Sequence, residues 1–194
     1  MDFLHAIRQG KKAGLTFNKI ARKIYLTYPT HAFMGEEERQ YIIFDEISEF
    51  LKVPISCIQV AGSAKTGHSF HKGSIFMRGV SDLDIAIIDS ALFTKYMEIA
   101  CEISRNYKNP AKFPVSKGRS VMETYLSYLS RGILRPDLMP TGNEKAEVTD
   151  FFGRLSARHS DLFSSINSAI YLSQAFFEVK QRSSISNFLD GQVY

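Results

Sequence analysis

Apolar residues recur along most of this chain at spacings that predict helices joined by short strands. Residues 17–28 and residues 36–52 carry them three and four positions apart, which predicts two amphipathic helices before the first strand. The same spacing predicts helices from Ser90 to about Asn106, over residues 120–131 and over residues 143–158.

Short apolar runs that begin or end at turn residues predict strands between these helices. The first run, Ser56–Ala61, stops at Gly62, where a glycine permits a tight turn. A second run starts at Asp82 and continues to Ile88, and we assign a third strand to Ile133–Met139. The strands are few and short, so the expected sheet is small.

These elements together predict an α+β fold with a small mixed sheet flanked by helices. We expect one domain over residues 1–194, made of an N-terminal helical segment (1–54), a core (55–140) and a C-terminal helical segment (141–194). Residues 163–170 are also compatible with a strand, but we assign this end of the chain to helix.

The second strand carries two aspartates at its start. Side chains alternate along a strand, so Asp82 and Asp84 project to one face while Leu83 projects to the other. Carboxylate oxygens are preferred ligands of Mg²⁺, which is usually held by one or two carboxylates together with substrate phosphates. An Asp-x-Asp pair is also compatible with a solvated strand entrance, but the apolar run that follows favours a buried strand and a metal site.

A candidate phosphate site lies at the preceding turn. Gly62 and Ser63 end the first strand, and a short helix beginning at Ser63 would present free backbone N–H groups to an anion. Lys65 is our first choice for a phosphate contact, and Thr66 lies beside it in sequence. Lys180, near the end of the last predicted helix, is a further candidate for binding a triphosphate, although an exposed lysine there needs no such role.

The order of strand, Gly62-Ser63, spacer and Asp82-Leu83-Asp84 resembles the DNA polymerase β-like nucleotidyltransferase superfamily. The resemblance covers about residues 56–140. It implies a third metal-binding carboxylate on a later strand, which we assign to Asp137 within the segment 133–140, similar to the corresponding strand in oligoadenylate-synthase-like members. The rival third carboxylates, which as surface charges need no role, are Glu123, Asp150 and Asp161.

The resemblance implies a metal-dependent enzyme that transfers a nucleoside monophosphate from an NTP to a hydroxyl. Asp82, Asp84 and Asp137 would be both catalytic and metal-binding, with Mg²⁺ or Mn²⁺ as cofactor; Gly62, Ser63, Lys65, Thr66 and Lys180 would contact the nucleotide. The acceptor stays open between an RNA, a protein and another nucleotide. By analogy with compact relatives we favour RNA or protein modification in a toxin–antitoxin or phage-defence system with a cognate partner protein. The alternative is a nucleotide-binding or protein-interaction module without activity.

Composition agrees with a cytoplasmic protein that has no membrane segment. The chain has 194 residues, 44% of them hydrophobic, and no apolar run approaches the length of a membrane span. Its two cysteines, Cys57 and Cys101, lie in apolar stretches and are expected to be free thiols. The net charge is +4, and basic residues are concentrated before residue 24, where they could form either a solvated helix face or a docking surface for RNA, DNA or a nucleotide tail.

Overall fold

A computed structural model describes residues 2–70 and 72–190 of the chain. Its helices are α1 (Phe3–Lys12), α2 (Phe17–Arg22), α3 (Glu37–Leu51), α4 (Gly62–Thr66), α5 (Ser90–Ile103), α6 (Met122–Leu129), α7 (Asn143–Arg158) and α8 (Gln174–Leu189). Its strands are β1 (Ile58–Ala61), β2 (Leu83–Ile88), β3 (Val115–Ser116), β4 (Arg119–Ser120), β5 (Ile133–Leu134) and β6 (Ile166–Tyr171). Within these described residues, none of the helices combines the length and the apolar character needed to cross a bilayer.

A mixed four-stranded sheet with the order β1-β2-β6-β5 forms the centre of the fold. Strand β2 pairs antiparallel with β1 and parallel with β6, while β5 pairs antiparallel with β6. β3 and β4 form a separate hairpin. The predicted α+β class, with a small mixed sheet flanked by helices, is therefore confirmed.

Helices cover both faces of this sheet. The face that carries Leu83, Ile85 and Ile87 packs in a core with residues of α3, α5, α6 and α7. The opposite face, which carries Ala86 and Tyr171, packs against residues of α1, α2 and α8. We call these the first and second faces; Asp84, two positions before Ala86, belongs to the second.

Two parts of the sequence prediction are wrong. Ile133–Met139 is not one strand: β5 ends at Leu134, and a 3₁₀ turn follows over Pro136–Leu138, because proline cannot donate to a β-ladder and its fixed φ suits the start of a helical turn. The C-terminal segment is not wholly helical, since Ile166–Tyr171 forms β6. Pairing with β2 along its whole length stabilises the extended conformation.

The other predicted helices are present with shifted ends. α2 continues as a π-helical turn over Lys23–Thr27, so residues 17–28 are helical for most of their length. α5 begins at Ser90 as predicted and ends at Ile103, and Asp89 caps it by accepting a hydrogen bond from the Leu92 N–H at 2.7 Å. α1 was not predicted; its buried residues Phe3, Ile7 and Gly10 form a stripe too short to stand out in the sequence.

Candidate metal and nucleotide site

Asp82 and Asp84 lie at the start of β2, as the sequence predicted. Asp84 is the exposed residue of this strand, between the buried residues Leu83 and Ile85. Asp82 immediately precedes the strand, and its Oδ1 accepts hydrogen bonds from the hydroxyls of Ser164 at 2.6 Å and Ser165 at 2.8 Å. The segment entering β6 therefore holds the Asp82 carboxylate in place.

Gly62 packs directly against the carboxylate of Asp84. The register of β1 and β2 aligns Ala61 with Asp84, so the turn that follows Ala61 meets this side chain. Gly62 has φ of +65°, and a Cβ atom there would overlap Oδ2 of Asp84. Both the backbone conformation and the close approach therefore require glycine at this position.

The electrostatic environment of Asp84 combines one like charge with several opposite ones. Surrounding protein removes part of its hydration and raises the pKa of this carboxyl group, although solvent still reaches the side chain. The Asp82 charge raises this pKa further, whereas Arg135, Lys72 and Lys180 act to lower it. A cation placed between two such carboxylates would relieve their repulsion.

The two lysines whose charges lower the pKa of Asp84, Lys180 and Lys72, come from different parts of the chain. Lys180 lies on α8, which packs over the second face of the sheet. Lys72 lies in the spacer before β2, where the Phe70 ring is buried and stacks on Phe188 of α8 with ring centroids 4.9 Å apart. α8 therefore carries one of these cations and anchors the segment that carries the other.

α4 carries three of the side chains predicted to contact the nucleotide, those of Ser63, Lys65 and Thr66. Ser63 is half-buried and its hydroxyl makes no hydrogen bond to the described residues. Lys65 is buried, and its Nζ donates to the Tyr28 carbonyl at 2.7 Å. Thr66 is also buried and donates to the His68 carbonyl at 2.8 Å. The structure therefore does not bring the Lys65 and Thr66 side chains together with the aspartates.

Asp137 forms an ion pair with Arg135 instead of lying on a strand beside β2. The Nε and Nη2 atoms of Arg135 donate to its two carboxylate oxygens at 3.0 and 2.6 Å. The Arg135 guanidinium also lies 5.3 Å from the centroid of the Tyr128 ring. In the described residues, no group of three or more Asp, Glu, His or Cys side chains is arranged to hold a metal.

Asn167 occupies the place beside Asp84 on the neighbouring strand. In the parallel pairing of β2 and β6, Asp84 aligns with Asn167. The Asn167 amide donates to the Ser165 hydroxyl at 2.9 Å, and that hydroxyl donates in turn to Asp82. Sequence reasoning missed Arg135, Ser164, Ser165 and Asn167. The compatibility of residues 163–170 with a strand is the sequence signal for β6, and nothing in the sequence places that strand beside β2.

The residues present suit a divalent cation that takes part of its coordination from a ligand. Two adjacent carboxylates match the usual share that a protein contributes to Mg²⁺, and the amide of Asn167 adds a neutral oxygen nearby. The nearby lysines and Arg135 offer charges that phosphate groups would pair with.

Comparison with known proteins adds no family assignment. No protein-family model matches the chain, no curated protein matches it, and no solved structure matches it. The arrangement of Asp82, Asp84 and their neighbours therefore carries the functional proposal.

Proposed function

We propose that this protein is a metal-dependent nucleotidyltransferase that moves a nucleoside monophosphate from an NTP to a hydroxyl acceptor. The observation that carries the proposal is the contact between the Gly62 turn and Asp84, with Asp82 beside it. Gly-Ser and Asp-x-Asp are separate in sequence, and their meeting at one point of the fold supports the resemblance to polymerase β-like nucleotidyltransferases.

Each residue around this point has a proposed task. Asp82 and Asp84 would hold Mg²⁺ or Mn²⁺, which would offset the charge of the phosphates and of the departing pyrophosphate. Ser164 and Ser165 orient Asp82 through their hydroxyls. Lys72, Lys180 and Arg135 would pair with the phosphate oxygens and hold the triphosphate in place.

The role of Asp137 in this proposal is to position Arg135. A bidentate pair fixes the orientation of the guanidinium plane, and Tyr128 supports it from the ring face. Asp137→Asn would weaken phosphate binding through Arg135 without removing a metal ligand. We therefore expect this variant to raise the KM for the nucleotide more than it lowers kcat.

A second candidate function is nucleotide binding without transfer. Asn167 favours it, because an amide cannot accept the proton of an incoming hydroxyl as a carboxylate on the strand beside Asp84 would. In that case the same residues would bind a metal–nucleotide complex, and the protein would act as a sensor or as an interaction module.

The acceptor that we favour is RNA, with protein and nucleotide hydroxyls as the other classes. α1 and α2 carry most of the basic residues of the first 24 positions, and both pack over the second face, to which Asp84 belongs. A basic surface on that side would attract a polyanion. Cys57 and Cys101 are free thiols, which supports the proposed cytoplasmic setting, and a toxin–antitoxin or phage-defence role with a cognate protein remains part of the proposal.

The test is transfer of label from each α-labelled NTP to cellular RNA or protein in the presence of Mg²⁺ or Mn²⁺. We expect the wild type to label one acceptor class, and Asp82→Ala and Asp84→Ala to lose about 100-fold or more of that activity. Asp150→Ala removes an exposed carboxylate of α7 and is the matched control, with wild-type activity expected.

Thermal unfolding with Mg²⁺ and a non-hydrolysable NTP separates the two candidates. Stabilisation that needs both the metal and Asp84, without any label transfer, would support the binding module and exclude the enzyme. If metal and nucleotide change neither label nor unfolding temperature, both candidates are wrong.

A further inference from the structure

A cleft separate from the aspartates lies along the edge of the sheet. Within the part of the chain that the structure describes, β1 pairs with a strand on one side only, and a cavity of about 200 Å³ lies against it. Its apolar walls include Leu26, Phe44 and Ile58, and its polar walls include Thr30, Gln40 and Lys65. This volume is below the roughly 300–1,000 Å³ of sites for drug-sized ligands, so the cleft suits a smaller molecule.

Lys65 is a buried cation at this cleft. Only 3% of the residue is exposed, and its Nζ donates one hydrogen bond, to the Tyr28 carbonyl. Among the described residues it forms no ion pair with a carboxylate. Burial lowers the pKa of its ammonium to about 8, so the group is still mostly charged at neutral pH. A buried charge without a counter-ion is costly, and proteins rarely retain one without a use.

A second polar side chain at the cleft is free to bind a ligand. Thr30 is 5% exposed, and its hydroxyl makes no hydrogen bond to the described residues. Thr30 and Lys65 both line the cleft. The Lys65 ammonium has three donors and uses one of them on Tyr28, so together with the Thr30 hydroxyl it can bind a ligand that supplies acceptors.

We propose that this cleft binds a small organic monocarboxylate, with its carboxylate paired to Lys65 and hydrogen-bonded by Thr30. The apolar body would lie against Leu26, Phe44 and Ile58. The hydrocarbon part would cover the apolar share of the wall, which a free phosphate would leave unused.

This site does not depend on the proposed transferase activity. α4 begins at Gly62, which contacts Asp84, and carries Lys65 three positions later, so one short helix lies between the two sites. The proposal concerns the binding of an anion at Lys65 and holds whether or not the aspartates bind a metal.

The experiment is calorimetric titration of the full chain with butyrate, with butyramide as the neutral analogue and inorganic phosphate as the alternative anion. We expect saturable binding of butyrate that is about tenfold or more weaker for butyramide and for Lys65→Met. Lys112→Met removes an exposed lysine and is expected to bind butyrate as the wild type does. Butyrate binding that is absent from the wild type, or equal in Lys65→Met, overturns the proposal, as does tighter binding of phosphate.

A second variant covers the case in which Lys65→Met does not fold. Thr30→Val keeps the shape of the side chain and removes the hydroxyl that would donate to the carboxylate. We expect Thr30→Val to bind butyrate several-fold more weakly than the wild type does. Butyrate binding by Thr30→Val that equals that of the wild type overturns the proposal.

Discussion

The two faces of β2 differ in what they bury. Leu83, Ile85 and Ile87 project to the first face and are each at most 2% exposed. The second face carries Asp84 and the small residue Ala86 in the corresponding positions. The large aliphatic side chains of β2 fill the first face. On the second face, the Gly62 backbone lies close to the Asp84 carboxylate. Stability and a candidate site can thus be separated within one strand.

The helices over each face follow the same division. The first-face core includes the rings of Phe50 and Phe151, which stack with centroids 4.0 Å apart. Over the second face, buried Glu178 of α8 forms a bidentate pair with Arg22 of α2 at 2.7 and 3.0 Å. Burial raises the pKa of Tyr171 on the same face, so this phenol stays neutral near Asp84. The second face therefore accommodates a buried ion pair.

The largest effect is expected on the first face. Leu83→Ala removes a fully buried side chain from the core and should lower the free energy of unfolding by about 2–5 kcal/mol, measured by urea denaturation. Val115→Ala, at a position 70% exposed, is the control and should change it little. If both variants unfold at the same urea concentration, the first face does not carry the stability of the sheet.

An intermediate effect is expected where the second face meets the Gly62 turn. Gly62→Ala forces a side chain into a positive-φ conformation, which costs about 1–2 kcal/mol, and adds the overlap with Asp84. Gly118 has φ of +76°, and a Cβ added there would lie more than 4 Å from every other described residue outside its chain neighbours, so Gly118→Ala measures the conformational cost alone. The difference in unfolding free energy between these variants measures the close approach. If the two variants lose the same unfolding free energy, the close approach of Gly62 to Asp84 does not restrict residue 62 to glycine.

The smallest effect on stability is expected at Asp84. Asp84→Asn keeps the shape of the side chain and removes the repulsion with Asp82, so the unfolding temperature at pH 7 should be unchanged or slightly higher. The same variant should lose stabilisation by Mg²⁺ with a non-hydrolysable NTP. A large fall in unfolding temperature would indicate that the carboxylate serves the fold, and the contrast between the two faces would disappear.

Local pattern was sufficient for most elements and for the pair of aspartates. Residues 36–52 and 143–158 gave helices close to the predicted ranges, because a long apolar stripe has one way to be buried. The Asp82–Asp84 alternation placed the carboxylates at the start of a strand for the same local reason. The surroundings of Asp137 could not be predicted from local pattern, because Pro136 ends the extended run and Arg135 binds the Asp137 carboxylate.

The sequence by itself determined which residues alternate, which segments are amphipathic and where a glycine allows a turn, because these properties depend on near neighbours in the chain. Only the tertiary structure decided which strand lies beside β2, and it placed Asn167 rather than Asp137 there. It also placed the Lys65 side chain at a cleft along the edge of the sheet. Strand order and side-chain direction depend on contacts between residues far apart in sequence, and local periodicity carries no information about those contacts.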